Sequence, residues 1–157
     1  MTTPPDAAAV RVPPPLLFLA AVIAGGVLHT WVAPLLLPLG GAARAAIAIV
    51  AAALGLLFGG SAIALFRRTG QDPTPWKPSP EIVASGVYRV TRNPMYVGMA
   101  LLQASIGVAW SNGWILLLLP VSTALVQLTA IRHEEAYLER KFGSAYLGYK
   151  REVRRWL

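Results

Sequence analysis

The chain contains no cysteine and only two histidines, His29 and His133. Without thiols there is no thiolate nucleophile, no thiolate metal ligand and no disulfide. His133-Glu134-Glu135 lacks the second histidine, one turn on, that a helical zinc site needs, so no metal site is expected. No Gly-x-Gly-x-x-Gly follows a strand pattern, which argues against a Rossmann domain, and no Ser–His–acid arrangement is visible. Charge is scarce too. Only 13% of the 157 residues are charged, roughly half the usual share of a soluble domain. Residues 12–43, 45–66 and 93–131 hold no Asp, Glu, Lys or Arg at all.

What fills those runs is apolar. A membrane-spanning helix needs ~20 apolar residues, so the first two runs accommodate one helix each. The third is broken at Ser111-Asn112-Gly113 and accommodates two. The expected fold is an all-α integral membrane protein with four transmembrane helices and a C-terminal amphipathic interfacial tail. The organisation expected is a disordered arm over 1–14, two spans within 15–66, a connecting loop over 67–92, and a hairpin plus tail over 93–157. The spans are placed at about 15–37, 43–66, 94–110 and 114–131, with Pro120 kinking the last. His29 beside Trp31 suits an interfacial anchor. Gly55 and Gly59 have the spacing that lets helix backbones approach closely. In the loop, four prolines from Pro73 to Pro80 favour extended chain, and Ser79-Pro80-Glu81 has the form of a short helix start running to Gly86. The first apolar run is too long for a cleaved signal peptide, so a retained segment is expected.

Basic residues outnumber acidic ones 14 to 7, but they gather at the membrane edges rather than in a nucleic-acid stripe. The arm, the loop and the tail share one side of a four-span chain. They carry Arg11, then Arg67, Arg68, Lys77, Arg89 and Arg92, then seven residues after Ile131, against Arg44 alone opposite. Thirteen against one predicts cytoplasmic N- and C-termini. Beyond Ile131, apolar and aromatic residues at 138, 142, 146, 149, 153 and 156 alternate with Lys and Arg, a pattern suited to lipid headgroups.

The stretch Gly86–Gly98 packs Tyr88, Arg89, Arg92, Asn93 and Tyr96 into the last polar turns before an apolar helix. Pro94 fits the first turn of that helix, whose positive end and neighbouring arginines suit an anion. A tight hairpin brings this end beside Arg132, His133, Glu134 and Glu135. The mixed-charge pocket so formed suits a zwitterion with hydroxyls. Two plainer readings of the same residues are a helix-end cluster of salt bridges and a charged membrane boundary with aromatic anchors.

Gly-x-Tyr-x-x-x-Arg-Asn-Pro-Met-Tyr-x-Gly at 86–98, followed by Glu-Glu-x-x-Leu-x-x-x-Phe-Gly-x-x-Tyr-x-x-Tyr at 134–149, resembles the isoprenylcysteine carboxyl methyltransferase family. That family shares a wider group with the phospholipid N-methyltransferases. The resemblance implies an integral membrane methyltransferase that uses S-adenosylmethionine without a Rossmann fold. It implies Arg92 and Glu134 as catalytic residues and Tyr88, Asn93, Pro94, Met95, Tyr96, Gly98 and Glu135 as cofactor-binding ones. Asn93 stands where the family usually has histidine, and it cannot take a proton near pH 7. Gln103 and Gln127 lie seven residues inward from Tyr96 and Glu134, which places them with Arg132 as candidates for holding the acceptor. The expected partners are a lipophilic small molecule or lipid and the surrounding membrane lipids, with no nucleic acid and no metal. The expected setting is a bacterial or archaeal cytoplasmic membrane. A reductase related to the sterol reductases is the alternative enzyme. It is disfavoured because Met99 follows Gly98 where those enzymes have Asp. A non-enzymatic membrane scaffold is the alternative outside enzymology.

Overall fold

The computed structural model describes residues 7–10, 12–72, 74 and 77–157. Among them every regular element is helical. The first helix, α1, covers Pro14–Trp31 and the second, α2, covers Gly41–Arg68. A 3-10 turn at Gly86–Arg89 precedes α3, Pro94–Ala109. The chain then runs through α4 (Gly113–Leu117), α5 (Leu119–Val126), a π-helical segment at Gln127–Ile131, α6 (Arg132–Phe142) and α7 (Ser144–Glu152). Three stretches are long and apolar enough to cross a membrane: Pro14–Trp31, Gly41–Arg68 and Gly113–Phe142. With 16 residues, α3 is apolar but shorter.

Several boundaries differ from the sequence expectation for identifiable reasons. Helix α1 ends at Trp31, not near Leu37. Pro34 forces Ala33 out of helical geometry, and Pro38 follows too soon for a restart. The chain from 32 to 40 instead lies against the α3–α4 turn. There the Leu35 carbonyl accepts from the Gly113 amide at 2.7 Å, and the Leu37 amide donates to Ser111 Oγ at 3.0 Å. Asn112 caps α4 through the Trp114 and Ile115 amides and donates to the Gly25 carbonyl at 3.1 Å. Helix α2 extends through Arg68, so the long connection begins at Thr69. Ser79-Pro80-Glu81 starts no helix; the turn forms later, at Gly86–Arg89. At Pro120 the helical path from Gly113 to Phe142 is interrupted at one residue, Leu118, which itself keeps right-handed helical dihedrals. Pro73, Pro75 and Trp76 of the connection lie outside the described residues, as do 1–6 and Arg11 of the expected disordered arm. Within that arm Ala7, Ala8 and Val10 are buried, the last two in the same core cluster as Phe18, Tyr96, Val126 and Ile131.

The most buried helix is α3. It packs against α1, α2, α4 and α5, most extensively against α2. The α2 surface that meets it is a stripe of small residues spaced by seven, Ala48, Gly55 and Ala62. A Cβ on Gly55 would sit 2.9 Å from the Gly98 carbonyl oxygen, and one on Gly98 would sit 2.8 Å from the Gly59 amide. The helices therefore touch backbone to backbone, the approach that small residues permit in lipid. The rest of α2 and α1 presents Leu19, Ile23, Ile49, Val50, Leu56 and Leu57 outward. A continuous apolar exterior of this extent fits hydrocarbon, not water. Gly143, with φ 53°, separates α6 from α7 at the break expected from Gly143-Ser144. The inner faces of α6 and α7 pack on protein, burying Tyr137 and Tyr146, and after Glu152 the chain is extended.

Candidate active site

The cleft lies where the start of α3, the 3-10 turn, the start of α6 and the residues Asp72, Thr74 and Ser79 meet. Gly86 turns the chain into it with φ 57°, a conformation that favours glycine, and packs beside the Leu65 side chain. Tyr88 is thereby buried, its ring 5.8 Å from that of Phe66 and its carbonyl accepting from Tyr149 Oη at 2.6 Å. The cleft encloses about 110 Å³. Arg92, Asn93, Pro94, Met95 and Tyr96 form one wall, with Tyr88 beside them. Glu134, Tyr137 and Leu138, which share one face of α6, form the other. Asp72, Thr74 and Ser79 cover it from the connection, and Ala8 closes it from the N-terminal side.

The polar groups divide into two sets. Facing the cleft, Tyr96 donates its phenolic hydrogen to Glu134 Oε1. Tyr137 Oη accepts from the Ser79 amide at 3.1 Å, which ties the covering segment to α6. Asp72 accepts from Lys77 and, at 2.9 and 2.6 Å, from the Thr74 amide and hydroxyl. Those bonds, Lys77 first, hold its carboxyl down at about 2. Burial, and then the nearby Glu134 carboxylate, push the Tyr88 phenol well above its usual range, so it remains a donor at any working pH.

The second set lies behind the first. Glu135 is engaged by Arg155 through both oxygens, Nε to Oε1 at 2.9 Å and Nη2 to Oε2 at 2.7 Å. Arg92 Nη2 reaches Oε1 at 3.2 Å and Lys150 Nζ lies 3.8 Å from Oε2. The carboxylate bonds raise Arg155 above its ordinary value. Residues 154 and 155 lie along 91–93. The Arg154 carbonyl accepts from the Arg92 amide at 2.9 Å, and the Arg155 carbonyl accepts from Thr91 Oγ1 and Asn93 Nδ2, both at 2.9 Å. The Arg92 side chain is only 8% exposed, yet its Nε and Nη1 have no hydrogen-bond partner among the described residues. Buried guanidinium nitrogens are rarely left so, and these belong to a residue that lines the cleft.

The sequence-expected residues therefore separate. Tyr88, Arg92, Asn93, Pro94, Met95, Tyr96 and Glu134 meet at the cleft. Glu135 does not line it and is committed to cations behind. Gly98 lies on the opposite side of α3, against Gly55 and Gly59. Gln103 is buried between helices, donating to the Ile115 carbonyl at 2.9 Å and accepting from Ser122 Oγ at 2.8 Å. Gln127 accepts from Trp156 Nε1 at 2.9 Å, so the two glutamines do not share a site. Arg132 and His133 are exposed and outside the cleft. Sequence reasoning passed over Tyr137, whose position one turn beyond Glu134 was a usable signal, and Asp72, Thr74 and Arg155, for which no spacing gave one.

The model of the phospholipid methyltransferase family matches residues 43–145 of this chain, from the start of α2 to the start of α7. No curated protein and no solved structure matches it. The match takes in α2, which carries none of the polar motifs, together with every cleft-lining residue from Phe66 to Leu138; Ala8, on the N-terminal side, lies outside it. The chain belongs to the phospholipid methyltransferase family, part of the wider group that includes the isoprenylcysteine carboxyl methyltransferases.

Proposed function

We propose that the protein is an integral membrane methyltransferase that takes S-adenosylmethionine at the cleft and acts on a lipophilic acceptor, the carboxylate of an isoprenylcysteine-like molecule or a lipid headgroup. The observation that carries this reading is the buried Arg92 side chain with two unpartnered nitrogens, at the positive end of α3. Such a pair of donors fits an anion held in charge-assisted hydrogen bonds. The rest of the donor set fits a zwitterion with a second cationic centre. Glu134 offers a carboxylate opposite Arg92, and Tyr88 and Tyr96 offer aromatic faces to a cation.

S-adenosylmethionine, when bound, supplies an electrophilic methyl group. The chain's own residues bind, align and exclude water. Arg92 takes the carboxylate, while Glu134 and the tyrosines face the positive end. Asp72, Thr74 and Ser79, the last tied to Tyr137, cover the cleft against water. Alignment with water excluded is what methyl transfer to a carboxylate requires, and no base is needed for that acceptor. Asn93 agrees with such a role, since its amide is spent on the Arg155 carbonyl and takes no proton. We further propose that α3, enclosed by the longer helices, is a fourth crossing, so that the cleft opens on the cytoplasmic face.

S-adenosylhomocysteine titrated into the detergent-purified protein tests the assignment. Arg92→Ala and Glu134→Ala are each expected to weaken binding by ~1.5–3 kcal/mol. Unchanged affinity in both variants would remove the cleft as the cofactor site.

A further inference from the structure

We propose that Arg155 is a positioning residue that keeps Arg92 free for an anionic ligand by occupying the Glu135 carboxylate in its place. This rests on the cofactor reading above for the identity of the ligand, but not for the geometry. A buried arginine beside a buried carboxylate ordinarily closes into a two-bond fork. Arg92 and Glu135 are both buried, with side chains 8% exposed, yet Arg92 makes one contact at 3.2 Å. The fork is made instead by Arg155, which uses both carboxylate oxygens. Lys150 adds a third cation beside Glu135 while hydrogen-bonding Glu139 at 2.5 Å. Three cations thus face two carboxylates, and the surplus appears as the two unpartnered nitrogens of Arg92. Glu134 does not absorb it. Among the described residues Glu134 forms no ion pair with Arg92, and its Oε1 accepts from Tyr96.

Arg155 cannot drift from this position, because the backbone around it is fixed to the residues that flank Arg92. Thr91, Arg92 and Asn93 all donate to the carbonyls of 154 and 155, and Trp156 donates to Gln127 in the π-helical segment. The segment from 153 onward thus fixes which arginine owns Glu135. It lies beyond the residues matched by the family model. Without Arg155, Arg92 has both oxygens of Glu135 available and turns away from the cleft to take them.

Two measurements on the full-length protein in detergent test this. In spectra of protein carrying nitrogen-15 arginine, the Arg92 Nε–H signal is identified by its loss in Arg92→Lys. In the ligand-free protein, Arg155→Ala is expected to shift that signal and slow its exchange with water, and Arg155→Ala combined with Glu135→Gln is expected to reverse both changes. Calorimetry with S-adenosylhomocysteine is expected to show at least a tenfold loss of affinity in Arg155→Ala and recovery to within threefold of wild type in the double variant. A merely structural segment would not regain affinity when a second buried partner is removed. Arg155→Lys, which reaches one oxygen only, is expected to fall between, and it carries the comparison if the alanine variant does not fold. An Arg92 signal unaltered by Arg155→Ala overturns the proposal, as does a double variant no better than the single. If the wild type binds no S-adenosylhomocysteine, the cofactor reading fails, and the ligand-free spectra still decide whether Arg155 holds Glu135 away from Arg92.

Discussion

Adjacent residues on an α-helix point ~100° apart, and that angle explains how the Glu134-Glu135 pair divides its work. Glu134 faces the cleft beside Tyr96, while Glu135 faces Arg155 and Arg92. The motif identified both residues but not their directions. The same angle puts Gly98, two positions after Tyr96, on the far side of α3. Gln103 was legible as a polar group that needs a partner in hydrocarbon, but sequence spacing could not tell a cleft from the Ile115 carbonyl and Ser122 hydroxyl that satisfy it. We propose that its role is structural, so Gln103→Leu is expected to lower the melting temperature in detergent and leave S-adenosylhomocysteine affinity within twofold. The stability loss is expected at ~0.6–2 kcal/mol, the range for an interhelical hydrogen bond and an orphaned carbonyl. A variant that melts normally and binds poorly would return Gln103 to the ligand site.

At the scale of elements, the decisive contact is the α2–α3 crossing. Gly55 and Gly59 announced a close approach in the sequence, and the structure supplies the partner, Gly98. A methyl group on Gly55 or Gly98 has no room, because the nearest atom in each case is backbone rather than the end of a flexible side chain. Gly98→Ala is expected to cost ~1–3 kcal/mol through overpacking. Thermal unfolding followed by circular dichroism in detergent checks it, and an unaltered midpoint would mean that the helices sit farther apart. The ends of elements were less legible. Proline chemistry, applied to Pro34, stops α1 at Trp31, although the apolar run continues to Leu39. The π-helical segment at Gln127–Ile131 has no composition that marks it.

For the whole molecule, the bias of basic residues is the strongest statement in the sequence. Thirteen of fourteen fall on one side if α3 is the fourth crossing proposed above. Since the chain has no cysteine of its own, a single Cys replacing the exposed Ser144 reports its side cleanly. An impermeant maleimide is expected to label it only after the cells are opened. Labelling in intact cells would reverse the orientation. The apolar periodicity and charge gaps made the membrane-crossing character legible before any coordinate. They did not show that α3 is both shorter than the three membrane-length stretches and the most enclosed, because enclosure depends on which faces the other helices present. Nor did they show that the C-terminal segment folds back onto Thr91–Asn93, since hydrogen bonds to backbone carbonyls leave no trace in residue type.

The central claim is that the cleft around Arg92 and Glu134 is an S-adenosylmethionine site for methyl transfer. Equilibrium binding of S-adenosylhomocysteine and of NADPH, measured side by side on the purified wild-type protein, addresses it most directly. Saturable binding of S-adenosylhomocysteine, weakened in Arg92→Ala, with none for NADPH, is the expected result. Binding of NADPH alone, or of neither, would contradict the account.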